Sequence, residues 1–185
     1  MKLVLKNVRL SFPALFTAEQ YQGTGPFNYR ASFLVPEGSK TAKEITAAVS
    51  AVANEKWPAK GDAIVEKARA GKTGVCWNDG NDREYDGYQG HWVLVATKPQ
   101  EKGRPDIRDR DGKTPLVAED GKPYAGSYCN AIVDIWPQDN DFGKTVRCTL
   151  VGIQFAKDGE AFSGGAVVAE GDFEDLGDEA DNDMV

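Results

Sequence analysis

The sequence contains a single histidine, His91, and this scarcity limits the catalytic and metal sites that it can build. A lone histidine with no Cys or His partner at ligand spacing argues against a zinc site. The sequence also lacks the Gly-x-Ser-x-Gly pattern of a nucleophile elbow, which argues against a Ser-His-Asp hydrolase. We therefore expect no catalytic residue, no bound cofactor and no metal.

Cysteines and long apolar runs are also scarce. Cys76, Cys129 and Cys148 are odd in number, far apart and set in hydrophobic stretches, which is typical of reduced core thiols in a cytoplasm. The N-terminal stretch MKLVLKNVRLSF alternates apolar and charged residues, unlike a signal peptide, and no long apolar segment follows it. We expect a cytoplasmic protein with neither export nor a membrane span.

Basic residues are missing from the C-terminal end of the sequence. All 22 Lys and Arg lie at or before Lys157, whereas eight of the 29 acids lie from Glu170 onward. Residues 1–169 thus carry 22 bases against 21 acids, so the net charge of −7 belongs to residues 170–185. This asymmetry predicts a folded domain over 1–169, able to carry a basic groove, and a disordered acidic tail over 170–185.

Hydrophobic periodicity predicts a mainly β domain. Alternation at 2–10 and in FNYRASFLVP at 27–36 predicts the first two strands, and later strands are predicted at 91–97, 127–136, 144–156 and 161–169. Between the second strand and the next, helical spacing predicts a helix at 41–57, with a capping box formed by Thr41 and Glu44. A shorter helix is predicted at 62–70, ending at Gly71.

This pattern fits an OB-fold-like barrel of five to six strands with a helical insertion after the second strand. A β-sandwich of the same strands remains an alternative, because periodicity does not distinguish the two. The segment from 98 to 126 is long and rich in charge, Pro and Gly, and long connections of this type in a compact domain are usually functional or mobile.

Aromatic and basic residues outside the predicted core indicate a single-strand binder. Rings in loops or beside polar strand residues offer flat surfaces on which bases stack, and nearby cations bind phosphates. The candidate DNA-binding residues are Arg30, Trp77, Tyr85, Tyr88, Trp92, Lys98, Arg104, Arg108, Lys122, Tyr124 and Tyr128.

Two blocks of the sequence resemble a family of bacteriophage single-stranded-DNA-binding proteins with an OB-fold core. The blocks are FPALFTAEQYQGTGPFNYRASFLVP and YAGSYCNAIVDIWPQDNDFGKTVRCTLVGIQFAKDGEAFSGG, and the acidic end adds to the likeness. The resemblance covers nearly the whole chain. It implies sequence-independent binding of single-stranded DNA in phage replication or recombination, with no cofactor and no catalysis.

Binding of DNA phosphates by the folded domain would give the acidic tail a physical role. A tethered polyanion at high effective concentration competes weakly for a basic groove until DNA displaces it. Once free, the tail is expected to bind phage or host replication proteins. Its candidate partner-binding residues are Asp172, Phe173, Glu174, Asp175, Asp178, Glu179, Asp181 and Asp183.

Two other classes of function remain open from the sequence. One is a structural or assembly protein of the virion, which predicts stable oligomers without affinity for nucleic acid. The other is a metal-dependent nuclease that uses loop aspartates, namely Asp79, Asp82, Asp86, Asp139 and Asp141. The sequence does not give the oligomeric state.

Overall fold

The computed structural model describes residues 1–162, which form seven strands and two α-helices. In chain order they are β1 (Lys2–Tyr21), β2 (Thr24–Pro36), α1 (Lys40–Lys56), α2 (Gly61–Ala70), β3 (Trp77–Asp79), β4 (His91–Pro99), β5 (Asp106–Arg108), β6 (Tyr128–Asn140) and β7 (Gly143–Lys157). The predicted acidic tail and residues 163–169 of the last predicted strand lie outside the described residues. Ala161 and Phe162, the first two residues of that predicted strand, are not in a strand.

Five of the strands close into a barrel. They follow the order β4-β2-β1-β6-β7, and β7 returns to β4 through a parallel pair formed by Thr97 and Thr149. The short β3 extends the sheet from β4, and the short β5 pairs with β7. The barrel, with two helices inserted after its second strand, confirms the OB-fold-like prediction over the β-sandwich.

The two predicted helices are present, but the first begins at a different residue. Ser39 caps α1, because its hydroxyl accepts a hydrogen bond from the backbone N–H of Ala42 at 3.1 Å. The predicted capping box of Thr41 and Glu44 is therefore wrong. Gly71 follows α2 as its C-cap, as predicted. Within residues 1–162, no helix combines the length and apolarity needed to cross a membrane.

The first strand is twice as long as its alternation predicts. Its pairing with β2 shifts between Ser11 and Ala14, and Phe12 has a positive φ of 44°. A bulge of this kind re-aims side chains and interrupts the period-two pattern on which the prediction depends. Beyond the bulge, β1 continues to Tyr21 and pairs with β2 as a long hairpin.

The main core fills the barrel and continues under the helices. Leu10, Phe33 and Leu94 are fully buried on the inner face of the sheet. The apolar face of α1, with Ile45 at its centre, joins this core, as does Val65 of α2. The helices thus close one part of the barrel and leave the outer surface of β1, β2 and β4 to other segments.

All three cysteines are buried in this core. Burial raises the pKa of Cys76 and of Cys129 to about 12, and it raises that of Cys148 as well. Because the thiolate is the reactive form, we expect the native protein to resist a thiol reagent at mildly alkaline pH and to react at all three cysteines after denaturation. Counting modified thiols by mass before and after unfolding checks this, and fast native modification would contradict the buried placement.

Candidate nucleic-acid interface

The outer face of β1, β2 and β4 carries the candidate site. Because side chains alternate along a strand, Arg30, Ser32 and Leu34 of β2 point away from the buried Phe33. Their paired residues on β4 share this outer face, namely Thr97, Val95 and Val93. On the other side, Arg9 of β1 pairs with Leu34, and Ser11 pairs with Ser32.

The segment between β3 and β4 folds back over this face and builds an aromatic cluster. Phe12 lies edge-to-face against Tyr85, with ring centroids 4.9 Å apart, and Tyr85 lies 5.2 Å from Tyr88. Tyr88 is buried, and its hydroxyl donates a hydrogen bond to the hydroxyl of Ser11 at 3.1 Å. Phe12 and Tyr85 remain 47% and 48% exposed, so this cluster presents two rings to solvent.

The cluster continues across the face through Phe162 and Arg9. The ring of Phe162 packs against the group formed by Leu34, Tyr88 and Val93. The Arg9 guanidinium lies 4.1 Å from the centroid of the Phe162 ring and 5.9 Å from that of Tyr128. Lys157 then lies 4.7 Å from the Tyr128 ring. We call this row the aromatic track; it comprises Phe12, Tyr85, Tyr88, Phe162, Arg9, Tyr128 and Lys157.

Arg30 is an unpaired cation on the same face. Within residues 1–162 its side chain has no ion pair and no hydrogen bond, and its buried Nε lacks a partner. An arginine held without an acid keeps its donors for another acceptor, such as a phosphate oxygen. Arg30 thus lies on the candidate face, and no described acid neutralises its guanidinium.

Two further predicted cations lie together at one end of the β1–β2 hairpin. The Arg104 guanidinium lies 5.6 Å from the ring centroid of Phe16, and Lys98 donates to the backbone carbonyl of Arg104 at 3.3 Å. Lys98 also pairs with Tyr29 across β4 and β2. Neither cation forms an ion pair with the described acids. Together with Arg30, this group gives three predicted cations that have no partner among the described acids: Arg30, Lys98 and Arg104.

Three of the predicted stacking rings are less exposed than predicted: Trp77 and Tyr88 are buried, and Trp92 is half-buried. Trp77 is 1% exposed and its indole donates to Thr46 of α1, so the expectation that it is an exposed ring is wrong. Tyr88 is 4% exposed and supports Phe12 and Tyr85 from below. Trp92 stacks on Trp77 at 5.3 Å, on the opposite face of β4 from Val93. Trp92 itself is half-buried and lines a groove beside α1, and no periodic pattern in the sequence reveals this tryptophan pair.

Three other predicted residues lie away from the track or are already engaged. Tyr124 packs against the core and its hydroxyl donates to Asp158 at 2.7 Å. Arg108 forms an ion pair with Asp106, and Lys122 forms one with Asp109. Their roles in DNA binding stay predictions. The structure brings together Arg30, Tyr85, Tyr88 and Tyr128, with Lys98 and Arg104 near the hairpin.

Sequence analysis missed five members of this surface: Arg9, Phe12, Phe16, Lys157 and Phe162. Phe12 and Phe16 are the first and last residues of the FPALF stretch, where the alternation of β1 fails at Phe12 and Pro13. That break was the available signal, since a bulge near a binding face re-aims side chains. Arg9 and Phe162 gave no signal, because they meet only when the segment after β7 returns to β1.

The loop aspartates form no metal site in the described part of the chain. Among residues 1–162, no three His, Cys, Asp or Glu side chains converge in a way that could hold a metal ion.

Comparison with known proteins gives similarity over the full length of the chain. The family model described as "Enterobacter phage Enc34, ssDNA-binding protein" matches residues 1–185. A relative called "Putative protein p50", from Acyrthosiphon pisum secondary endosymbiont phage 1, is 43% identical over 178 residues, which cover 95% of this chain and 94% of the relative.

Two solved structures share the fold. The single-stranded DNA-binding protein from bacteriophage Enc34, in complex with ssDNA, has a TM-score of 0.71 and 22% identity, over 88% of this chain and 89% of that chain. Gp2.5, a single-stranded DNA-binding protein encoded by bacteriophage T7, has a TM-score of 0.54 and 14% identity, over 100% of this chain and 97% of that chain. At these identities the likeness establishes the fold alone.

Proposed function

The chain belongs to the family of the Enterobacter phage Enc34 single-stranded DNA-binding protein, and from that membership we propose that it binds single-stranded DNA along the aromatic track. One observation supports this location above others: the exposed Phe12 and Tyr85 rings lie on the same barrel face as the unpaired Arg30. Flat rings beside free cations are the combination that single-strand binding requires.

Stacking supplies affinity without reading sequence. Every base has a π-face, so the Phe12, Tyr85 and Tyr128 rings accept any of them, at about 1 to 3 kcal/mol for each stacked base. The cluster holds Phe12 and Tyr85 edge-to-face, which fixes their orientation before DNA arrives. This preorganisation lowers the entropy cost of binding.

Phosphate contacts supply the remaining affinity. Arg30, Lys98 and Arg104 are the proposed phosphate ligands, because none of them is neutralised by a described acid. Each neutralised phosphate releases counterions, so binding should weaken steeply as salt rises, with a slope of about −0.7 per contact on a single strand. No catalytic step is part of the proposal.

The acidic tail is proposed to compete with DNA for the interface and to recruit replication proteins of the phage or its host. The described chain ends at Phe162, on the aromatic track, and the acids begin eight residues later at Glu170. A tether this short keeps the polyanion near the cations at high effective concentration. The proposed role is in DNA replication or recombination, in the cytoplasm of the infected cell.

Deleting residues 170–185 is expected to tighten binding to oligo-dT at low salt. The reason is the loss of a competing polyanion, so the gain should shrink as added salt screens the tail. Parallel titrations of the full and shortened chains at two salt concentrations check this. Unchanged or weaker binding by the shortened chain would refute the competition.

The function is tested by titrating labelled oligo-dT with the full-length protein and following fluorescence anisotropy. The label belongs on the DNA, because none of the four tryptophans is part of the aromatic track. We expect salt-sensitive binding that an unlabelled duplex of equal length competes poorly. If folded protein gives no binding at low salt, the proposal fails, and the size of its oligomers should be measured to test an assembly role.

A further inference from the structure

The position of Phe162 in the middle of the aromatic track needs an explanation. Its ring lies under the Arg9 guanidinium at 4.1 Å, and a Cβ placed on Gly87 would come within 2.6 Å of it. Leu34 and Val93 of the barrel face lie beneath. A flat ring held between a planar cation and an apolar floor occupies the kind of site that a nucleobase takes on a single-strand binder.

The segment that carries Phe162, residues 158–162, is held by side-chain and loop hydrogen bonds rather than by strand pairing. The Tyr124 hydroxyl contacts both Asp158 and Gly159. The Phe162 N–H donates to the carbonyl of Ala125 at 3.2 Å. Arg9 donates to the carbonyl of Glu160 at 2.6 Å and to that of Gly126 at 3.2 Å. Residues 158–162 belong to no strand or helix, and Glu160 and Ala161 are exposed. Because no strand pairing has to break, we expect this segment to leave the barrel face more readily than the barrel strands separate.

The neighbours of Phe162 on both sides are proposed DNA contacts. Tyr85 and Phe12 lie beyond Tyr88, and Tyr128 and Lys157 lie beyond Arg9. A strand that runs from Phe12 to Tyr128 must therefore cross the place that Phe162 fills. Arg9 is also the link between the two, because it contacts both the Phe162 and the Tyr128 rings.

We propose that Phe162 is a surrogate base: it fills a nucleobase site between Arg9 and Leu34 in the free protein, and single-stranded DNA displaces it. This inference rests on the proposed function and adds a specific base site to it. An arriving base takes over the stack with Arg9, and residues 158–162 leave the barrel face. Binding thereby frees the root of the acidic tail at the moment when the site fills.

The proposal predicts that Phe162→Ala tightens binding to oligo-dT, on the order of tenfold, because the site no longer has to be vacated. The gain should not depend on salt, since the side chain is uncharged, which separates it from competition by the acidic tail. Phe142→Ala is the matched control, because Phe142 is 91% exposed and is not part of the track. Phe162→Leu keeps the apolar cover and serves if the alanine variant does not fold.

Hydrogen exchange in the wild-type protein gives an independent readout. The amides of Gly159 and Phe162 have hydrogen-bond partners in the free protein, namely Tyr124 and Ala125. Displacement predicts faster exchange at 158–162 when oligo-dT is bound, whereas direct DNA contact with an unmoved segment predicts slower exchange. Faster exchange and a tighter Phe162 variant support the surrogate base. Slower or unchanged exchange, or a Phe162 variant that binds no more tightly, overturns it, while wild-type binding itself decides the proposed function.

Discussion

Replacing Phe12 and Tyr85 together by alanine is expected to weaken oligo-dT binding by at least about 30-fold. Each stacked base contributes about 1 to 3 kcal/mol, so two lost rings remove about 2 kcal/mol or more. Both rings are about half exposed, and their removal leaves the buried Tyr88 and its hydrogen bond to Ser11 in place. Anisotropy titration of labelled oligo-dT at one low salt concentration measures the loss.

Trp136→Ala is the matched control for this double variant. Trp136 is a 39% exposed ring on β6, where its indole donates to Thr149, and it contacts no member of the track. We expect its removal to change the affinity for oligo-dT less than about threefold, because a substitution at the surface away from the interface should have little effect. If Trp136→Ala weakens binding more than the double variant, the interface lies on the β6–β7 face instead.

Replacing Trp77 by alanine is expected to cost about 3 to 5 kcal/mol of unfolding free energy, the range for deleting a large core ring. Trp77 is the largest of the fully buried side chains, and it packs on Trp92 while its indole donates to Thr46 of α1. Its loss would leave a cavity beneath the helices. Denaturant unfolding followed by circular dichroism measures the change in stability.

The same variant separates a structural from a binding role for Trp77. Where enough of the protein remains folded, the affinity of the folded fraction for oligo-dT should match the wild type. A variant of normal stability that loses affinity would reinstate Trp77 as a DNA contact. Trp136→Ala again provides the comparison, with an expected stability change of about 1 kcal/mol or less.

The sequence predicted the elements whose pattern is regular. Alternation marked the start of β1, strand-like apolar stretches marked β2 and β4, and helical spacing placed α1 as an insertion between those two strands. The full length of β1 was not predictable from alternation, because the bulge at Phe12 reverses the phase. Periodicity alone did not distinguish the barrel from a sandwich, since the Thr97–Thr149 pair that closes the barrel joins strands far apart in sequence.

Aromatic residues in loops were the main source of error in the candidate site. Tyr85 and Tyr88 lie three residues apart in one Gly- and Asp-rich segment, yet one is exposed and the other is buried. Which ring turns inward depends on how the segment folds back over β1 and β2. Tertiary packing determines which ring is buried, and the local composition does not predict it.

Pairing between charges was equally hidden from the sequence. Arg108 and Lys122 were predicted beside Arg30 because all three are basic residues near candidate rings. The structure pairs Arg108 with Asp106 and Lys122 with Asp109, whereas Arg30 stays unpaired among the described residues. A count of bases therefore overestimated the cations available to phosphate.

The most direct test of the proposed interface is photochemical crosslinking of the full-length protein to oligo-dT, with the crosslinked residues mapped by mass spectrometry. Ultraviolet light links aromatic side chains that stack on thymine directly to the base, without a spacer. The aromatic track predicts crosslinks at Phe12, Tyr85 and Tyr128, with Phe162 unlinked or reduced because it has left the site. Crosslinks concentrated at Trp136 or Phe142, with none on the track, would contradict the proposed DNA path.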